Sequence, residues 1–217
     1  MDNLILNQLY DDLSISKITN FDNIYWKAWF FLVPMTYFAL VIIFRQLDVL
    51  PQPTRDGSRS SDMMAFLVVA GGCVTYLAAA GFILFYSLFE VNDYNKLEAN
   101  HFYGRSEFLE NHLIYPMLAY QGWNVVLCLF VKDLRKPEMI GHHIVTGTLG
   151  LMGLHPFLHY RGLFFFGVAE VTNVPLTILD MFKYITVLKE KYPMGYSLTQ
   201  VTFAASFIIL RLIAWPI

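Results

Sequence analysis

Two adjacent histidines, His142 and His143, open an apolar stretch that continues through Ile144, Val145 and Thr146. Imidazole suits acid–base or nucleophilic chemistry, because both of its protonation states are accessible near neutral pH. On a helix, about 100° per residue puts His142, His143, Thr146, Gly150 and Gly153 within an arc of about 100°. A second polar stripe follows downstream, where Glu170, Asn173, Thr177 and Asp180 share an arc of roughly 80° by the same arithmetic. Gln121, Asn124 and Cys128 make a third line upstream. Polar groups in apolar segments are costly unless they pair with one another or face a cavity. They could hydrogen-bond to one another across the bundle, and a buried Glu170 would need such a partner or would take up a proton. The same groups would also serve simply to hold neighbouring helices together.

The elements that must position these residues follow from composition. Of 217 residues, 56% are hydrophobic, 17% aromatic and only 15% charged, and the mean hydropathy is +0.47. Apolar residues gather in long runs separated by short charged loops, so lipid is the solvent for much of the surface. A hydrocarbon core about 30 Å thick takes roughly 20 residues per helix. Six runs qualify, at about Ala28–Phe44, Met63–Phe89, His112–Val131, Met139–Leu158, Gly162–Phe182 and Tyr196–Ile217. The expected fold class is all-α, a polytopic membrane bundle of about six transmembrane helices. Its second helix carries the small-residue clusters Ala70-Gly71-Gly72-Cys73 and Ala78-Ala79-Ala80-Gly81, which let backbones approach closely. The chain divides into a tail at 1–24, a first helix with a polar loop at 25–62, and the main bundle at 63–217. The tail has helical spacing of Leu4, Ile5, Leu6, Leu9 and Leu13, which reads either as an interfacial amphipathic helix or as a frayed acidic segment. Pro51–Asp62 reads as an exposed loop. The sequence stops at Ile217 without a polar tail, which leaves open whether a further segment follows.

Orientation follows from lysine and arginine. Arg45, Arg55, Arg59, Lys132, Arg135, Lys136, Lys183, Lys189 and Lys191 fall on one side, which is expected to face the cytoplasm. Lys17, Lys27, Lys96, Arg105 and Arg161 fall on the other. Tyr25, Trp26, Trp29 and Trp215 fit interfacial anchors, and Arg211, near a helix end, is placed to snorkel. Cys73 and Cys128 lie inside apolar runs and read as packing residues. His155 and His159 have an i, i+4 spacing, but too few further ligands accompany them, so no metal is expected. The net charge of −2 and the lack of a basic stripe exclude a nucleic-acid partner.

The segments Tyr120-Gln121-Gly122-Trp123-Asn124, Lys136-Pro137-Glu138-Met139-Ile140-Gly141-His142-His143-Ile144-Val145-Thr146 and Gly167-Val168-Ala169-Glu170-Val171-Thr172-Asn173-Val174-Pro175-Leu176 together resemble the TLC domain. The resemblance runs from about Met63 to Ile217. It implies about six helices around a lipid-accommodating cavity, residence in the endoplasmic reticulum or another endomembrane, and kinship with ceramide synthases and regulators of lipid composition. In the ceramide-synthase branch the paired histidines serve acyl transfer from acyl-CoA to a sphingoid amine, and His142 and His143 are the matching positions. That branch continues with His-Asp and then Ser-Asp, where this chain has Ala169-Glu170 and Thr172-Asn173. The resemblance therefore points to the smaller, functionally diverse TLC-domain proteins, with a membrane lipid or fatty acyl chain as partner and no cofactor. If the chain is an acyltransferase, the resemblance implies acyl-CoA as co-substrate, with His142 or His143 carrying the reaction, Glu170 or Asp180 orienting it, and Gln121 or Asn124 stabilising the developing oxyanion. If it binds lipid without reaction, Gln121, Asn124, Thr146, Asn173, Thr177 and Arg211 are the expected contacts. Oligomeric assembly is compatible with either case.

Overall fold

The structure is a computed structural model, and it describes residues 23–47, 59–90 and 106–214. The amphipathic helix expected in the tail, the loop at 51–58 and Trp215 lie outside those residues. Helix α1 spans Ile24–Leu47 and α2 spans Ser60–Glu90. Ser60, Ser61 and Asp62, expected in a loop, instead form the first turn of α2. Asp62 there accepts a hydrogen bond from Arg45 at 2.8 Å, which ties α1 to α2. Helix α3 runs over Glu107–Phe130 and contains a wide π turn at Glu110–Ile114. Ser106 caps its start, the hydroxyl accepting from the Leu109 amide at 3.3 Å.

Prolines set the next boundaries. Lys136 is extended and Pro137 opens α4, which ends at Gly153. A proline tolerates the first helical position because its missing N–H would have no partner there. The expected continuation of α4 to Leu158 does not occur. The chain tightens through i to i+3 bonds from Leu154 and His155 and begins a new helix, α5, over Pro156–Phe166. At 17 residues, α4 is about 25 Å long and falls short of a full bilayer crossing. Helix α5 gives way at Gly167 to a 3₁₀ turn over Val168–Thr172, followed by α6 at Asn173–Tyr184. The expected continuous helix Gly162–Phe182 is therefore broken in its middle. Pro175 lies in the first turn of α6 and cannot donate to Val171, so the regular hydrogen-bond ladder is interrupted at this point. Short α7, Thr186–Lys191, leads to α8 at Pro193–Phe207, which widens into a π turn at Ile208–Ile213.

Among the described residues, five helices are long and apolar enough to cross a membrane: Ile24–Leu47, Ser60–Tyr86, Glu107–Phe130, Arg161–Tyr184 and Pro193–Ile213. The protein is an integral, multi-pass helical membrane protein. Its outer faces confirm the choice of solvent, because Phe31, Met35 and Phe38 of α1 and Leu198, Val201 and Ile209 of α8 are exposed. In lipid such surfaces carry no penalty. Helix α1 packs on α2 and α3, α3 on α4, α2 on α6 and the 3₁₀ turn, and α6 on α8.

Shape decides these contacts more than hydrophobicity does, since the lipid is as apolar as the helices. A Cβ on Gly81 would lie 2.3 Å from the Gly167 Cα, so α2 crosses the break in the α5–α6 span with backbone against backbone. Gly71 of the other small-residue cluster takes the Thr177 methyl. On α4, Gly150 receives Leu118 and Gly153 receives Ile114 and Phe166. Cys73 and Cys128 are buried, unpaired thiols.

Candidate functional site

The π turn and Pro116 set the phase of α3 so that Met117, Tyr120, Gln121, Asn124 and Cys128 are all buried. Gln121 faces α4, where a Cβ on Gly147 would lie 3.7 Å from the Gln121 Cβ. One turn earlier on α4, the His143 Nδ1 lies 2.6 Å from the Gln121 Oε1 in a buried hydrogen bond. The other end of the carboxamide donates from Nε2 to the Met117 sulfur at 3.2 Å. With its N–H groups turned to sulfur, Gln121 presents a carbonyl to the imidazole, and a carbonyl only accepts. In this amide orientation a neutral His143 donates from Nδ1, which leaves Nε2 as a bare lone pair. That Nε2 is buried and has no hydrogen-bond partner.

His142 occupies a different position. The packed face of α4 centres on His143, Gly147 and Gly150, which leaves His142 at its edge and exposed, and Thr146 half-buried. The arc expected to present both imidazoles together is thus divided between a buried and an exposed ring. The two rings remain neighbours, edge to face at 5.4 Å.

Across the bundle, the 3₁₀ turn places Glu170 and Thr172 in buried positions. Asn173 donates from Nδ2 to the Glu170 Oε2 at 2.8 Å, and the Thr177 hydroxyl donates to the Asn173 carbonyl at 2.9 Å. Asp180 stands apart from this group, 3.9 Å from Lys183 near the end of α6. Asn124 is buried at 1% exposure. It interacts with the Tyr120 hydroxyl, yet its Nδ2 has no partner of hydrogen-bond geometry, and the same holds for the Trp123 Nε1. Among the described residues, then, the buried side-chain atoms left unsatisfied all belong to α3 and α4.

Arg211 turns inward instead of snorkelling. Its Nε donates to the Thr172 hydroxyl at 3.0 Å and its Nη2 to the Ala169 carbonyl at 3.3 Å. Its charge is within electrostatic reach of Glu170 and of His142. The structure thus gathers Gln121 with His143, Glu170 with Asn173 and Thr177, and Arg211 with Thr172. Neither Glu170 nor Asp180 hydrogen-bonds to a histidine.

Two residues gain roles that spacing did not reveal. Tyr120 buries its hydroxyl close to Cys73, Asn124 and Glu170, and only its place on the same helical line as Asn124 could have signalled this. His159 is 1% exposed; its Nε2 accepts from the Ser106 amide at 2.8 Å, and its Nδ1 donates to the Gly153 carbonyl at 3.0 Å. With both nitrogens engaged, it joins the start of α3 to the end of α4. Among the described residues no cluster of three or more histidine, cysteine or acidic side chains is arranged to hold a metal.

A family model described as the TLC domain matches residues 66–217. No curated protein and no solved structure matches the chain. The matched stretch takes in most of α2 and everything from α3 onward, well over half of the chain, and so it covers every residue of the candidate site. A match of that extent makes the chain a member of the TLC-domain family.

Proposed function

We propose that this TLC-domain protein binds a membrane lipid, with the lipid's polar end between α3, α4 and the 3₁₀ turn, and serves lipid homeostasis or lipid metabolism. The observation that carries the reading is the His143 Nε2, a bare acceptor buried among apolar helices with no partner of its own. Leaving such an atom unsatisfied costs about 1–3 kcal/mol. A lipid hydroxyl or amide donating to it would remove that cost, and the Asn124 Nδ2 offers a complementary donor to a carbonyl. The family supports an endomembrane site, with the endoplasmic reticulum first. The test is native mass spectrometry of the purified protein after delipidation and reloading with membrane extract. Wild type should retain lipid, and His143→Ala should lose most of it while still unfolding cooperatively, with its transition lowered only as far as the lost Gln121 hydrogen bond requires. Equal occupancy in the two forms would count against the reading.

One observation favours a second reading, acyl transfer. A neutral imidazole held at Nδ1 by a carbonyl has its nucleophilic lone pair on Nε2. Attack there on an acyl-CoA thioester would form the Nε2–acyl bond and break the carbon–sulfur bond, with the pair leaving on the CoA thiolate. A lipid amine would then take the acyl group and release the imidazole, losing its proton to the thiolate or to solvent. Gln121 would be the orienting group, and Asn124 the donor to the oxyanion. A His143-dependent mass gain equal to one acyl chain supports this chemistry. Its absence across several acyl-CoAs returns the protein to binding alone.

A further inference from the structure

The anchor point of Arg211 is the middle of a membrane span. Thr172 is the twelfth of the 24 residues of Arg161–Tyr184, and Arg211 the nineteenth of the 21 of Pro193–Ile213, so the guanidinium reaches back from a helix end to a point inside the neighbouring span. Arginine keeps its charge there, and an intramembrane charge is costly unless it is compensated. Its hydrogen bonds fix the group without neutralising it, and the centre of the Phe207 ring lies 5.8 Å from the guanidinium carbon. Both acceptors, the Thr172 hydroxyl and the Ala169 carbonyl, are uncharged, and the Thr172 hydroxyl itself donates to the same carbonyl at 2.8 Å. This closed triangle uses two of the five guanidinium N–H groups. Among the described residues no carboxylate makes an ion pair with Arg211. Glu170 lies within electrostatic reach of the guanidinium but makes no hydrogen bond to it, its Oε2 accepting instead from the Asn173 amide. The other group within reach of the guanidinium is His142, which is exposed at the edge of α4. A fixed cation with free donors, partly accessible and within electrostatic reach of an imidazole, is an arrangement that compact anions satisfy through charge-assisted hydrogen bonds.

We propose that Arg211, with His142 beside it, binds the anionic head group of a single-chain lipid, a carboxylate or a phosphate monoester. The proposal rests on the lipid-binding reading above and adds the charge of the ligand. The Thr172–Ala169 triangle aims the guanidinium inward and holds it there with N–H donors to spare, which an anion would fill. A ligand bearing a hydroxyl as well as the anion would also satisfy the His143 Nε2.

The test uses the full chain in lipid nanodiscs, with competition among palmitate, palmitoyl lysophosphatidic acid and uncharged hexadecanol of the same chain length. Wild type should retain at least one of the two anions about ten-fold more tightly than hexadecanol. Whichever anion wins identifies the source as carboxylate or phosphate. Arg211→Gln should bring the retention of both anions down to the level of hexadecanol, and Arg211→Lys should restore part of the preference. If Arg211→Gln does not fold, the wild-type competition alone still decides. Equal retention of anionic and neutral chains by wild type, or an anion preference that survives in Arg211→Gln, overturns the anion site while leaving lipid binding in place. Retention of none of the three overturns both readings.

Discussion

Replacing Gly81 with alanine should cost the bundle about 3 kcal/mol or more, the upper range for overpacking a tight interface. The added methyl would stand 2.3 Å from the Gly167 Cα, 2.6 Å from its carbonyl carbon and 2.9 Å from the Val168 nitrogen. All three are backbone atoms, so no rotamer change relieves the clash, and α2 must move away from the break that carries Glu170. Thermal unfolding of the detergent-solubilised protein checks this. Gly72→Ala is the control, because nothing lies within 4 Å of the new methyl. It should leave the transition where it is or raise it, as alanine is the better helix former. Similar transitions for the two variants would mean that the crossing at Gly81 is looser than described.

Gln121→Leu should have the second largest effect. It removes the only acceptor that the His143 Nδ1 has in the structure and leaves both imidazole nitrogens buried without partners, at a cost of about 1–3 kcal/mol. It also frees the ring to exchange tautomers. Nitrogen-15 spectra of histidine-labelled protein should show a protonated Nδ1 and a bare Nε2 for His143 in wild type, and a mixture in Gln121→Leu. A wild-type ring protonated at Nε2 would reverse the assignment. It would make Gln121 the donor and remove the lone pair on which both functional readings draw.

Much of this was legible in the sequence, and the reasons are physical. Long apolar runs give membrane helices because lipid cannot satisfy an open backbone, so α1, α2 and α3 appear close to where the runs lie. The small-residue cluster ending at Gly81 foretold a close backbone approach, though not that its partner would be another glycine, Gly167. Proline was the harder letter to read. Pro34 sits inside an intact α1, whereas α4, α5 and α8 begin at Pro137, Pro156 and Pro193. A membrane helix tolerates proline when its neighbours fill the gap, and sequence alone does not show the neighbours. Gly167 and Pro175 together break the Arg161–Tyr184 span. An even 100° per residue therefore mispositions Glu170 relative to Asp180, and the expected stripe parts into a Glu170–Asn173–Thr177 group and a separate Asp180–Lys183 pair.

The same limit applies to the histidines. Periodicity gives which residues share an arc but not where the packed face is centred. The glycines at 147 and 150 draw α4 against α3 and turn His143 inward, while His142 stays at the rim. Arg211 was harder still, since position near a helix end favours snorkelling, and only the carbonyl and hydroxyl exposed by the 3₁₀ turn explain why it bends back. The tie from His143 to Gln121 joins residues on different helices, and nothing in either segment alone announces it.

If a lipid's polar end meets His143 from within the bundle, a lipid carrying a diazirine beside its head group should mark that site on irradiation, as mapping of the modified peptides would show. Labels are expected on the α4 segment His142–Thr146 and on α3 around Trp123 and Asn124, competed away by unlabelled lipid. Labels confined to the outward residues of α1 and α8, such as Phe31, Phe38 and Leu198, with no competition, would rule out a lipid site at His143.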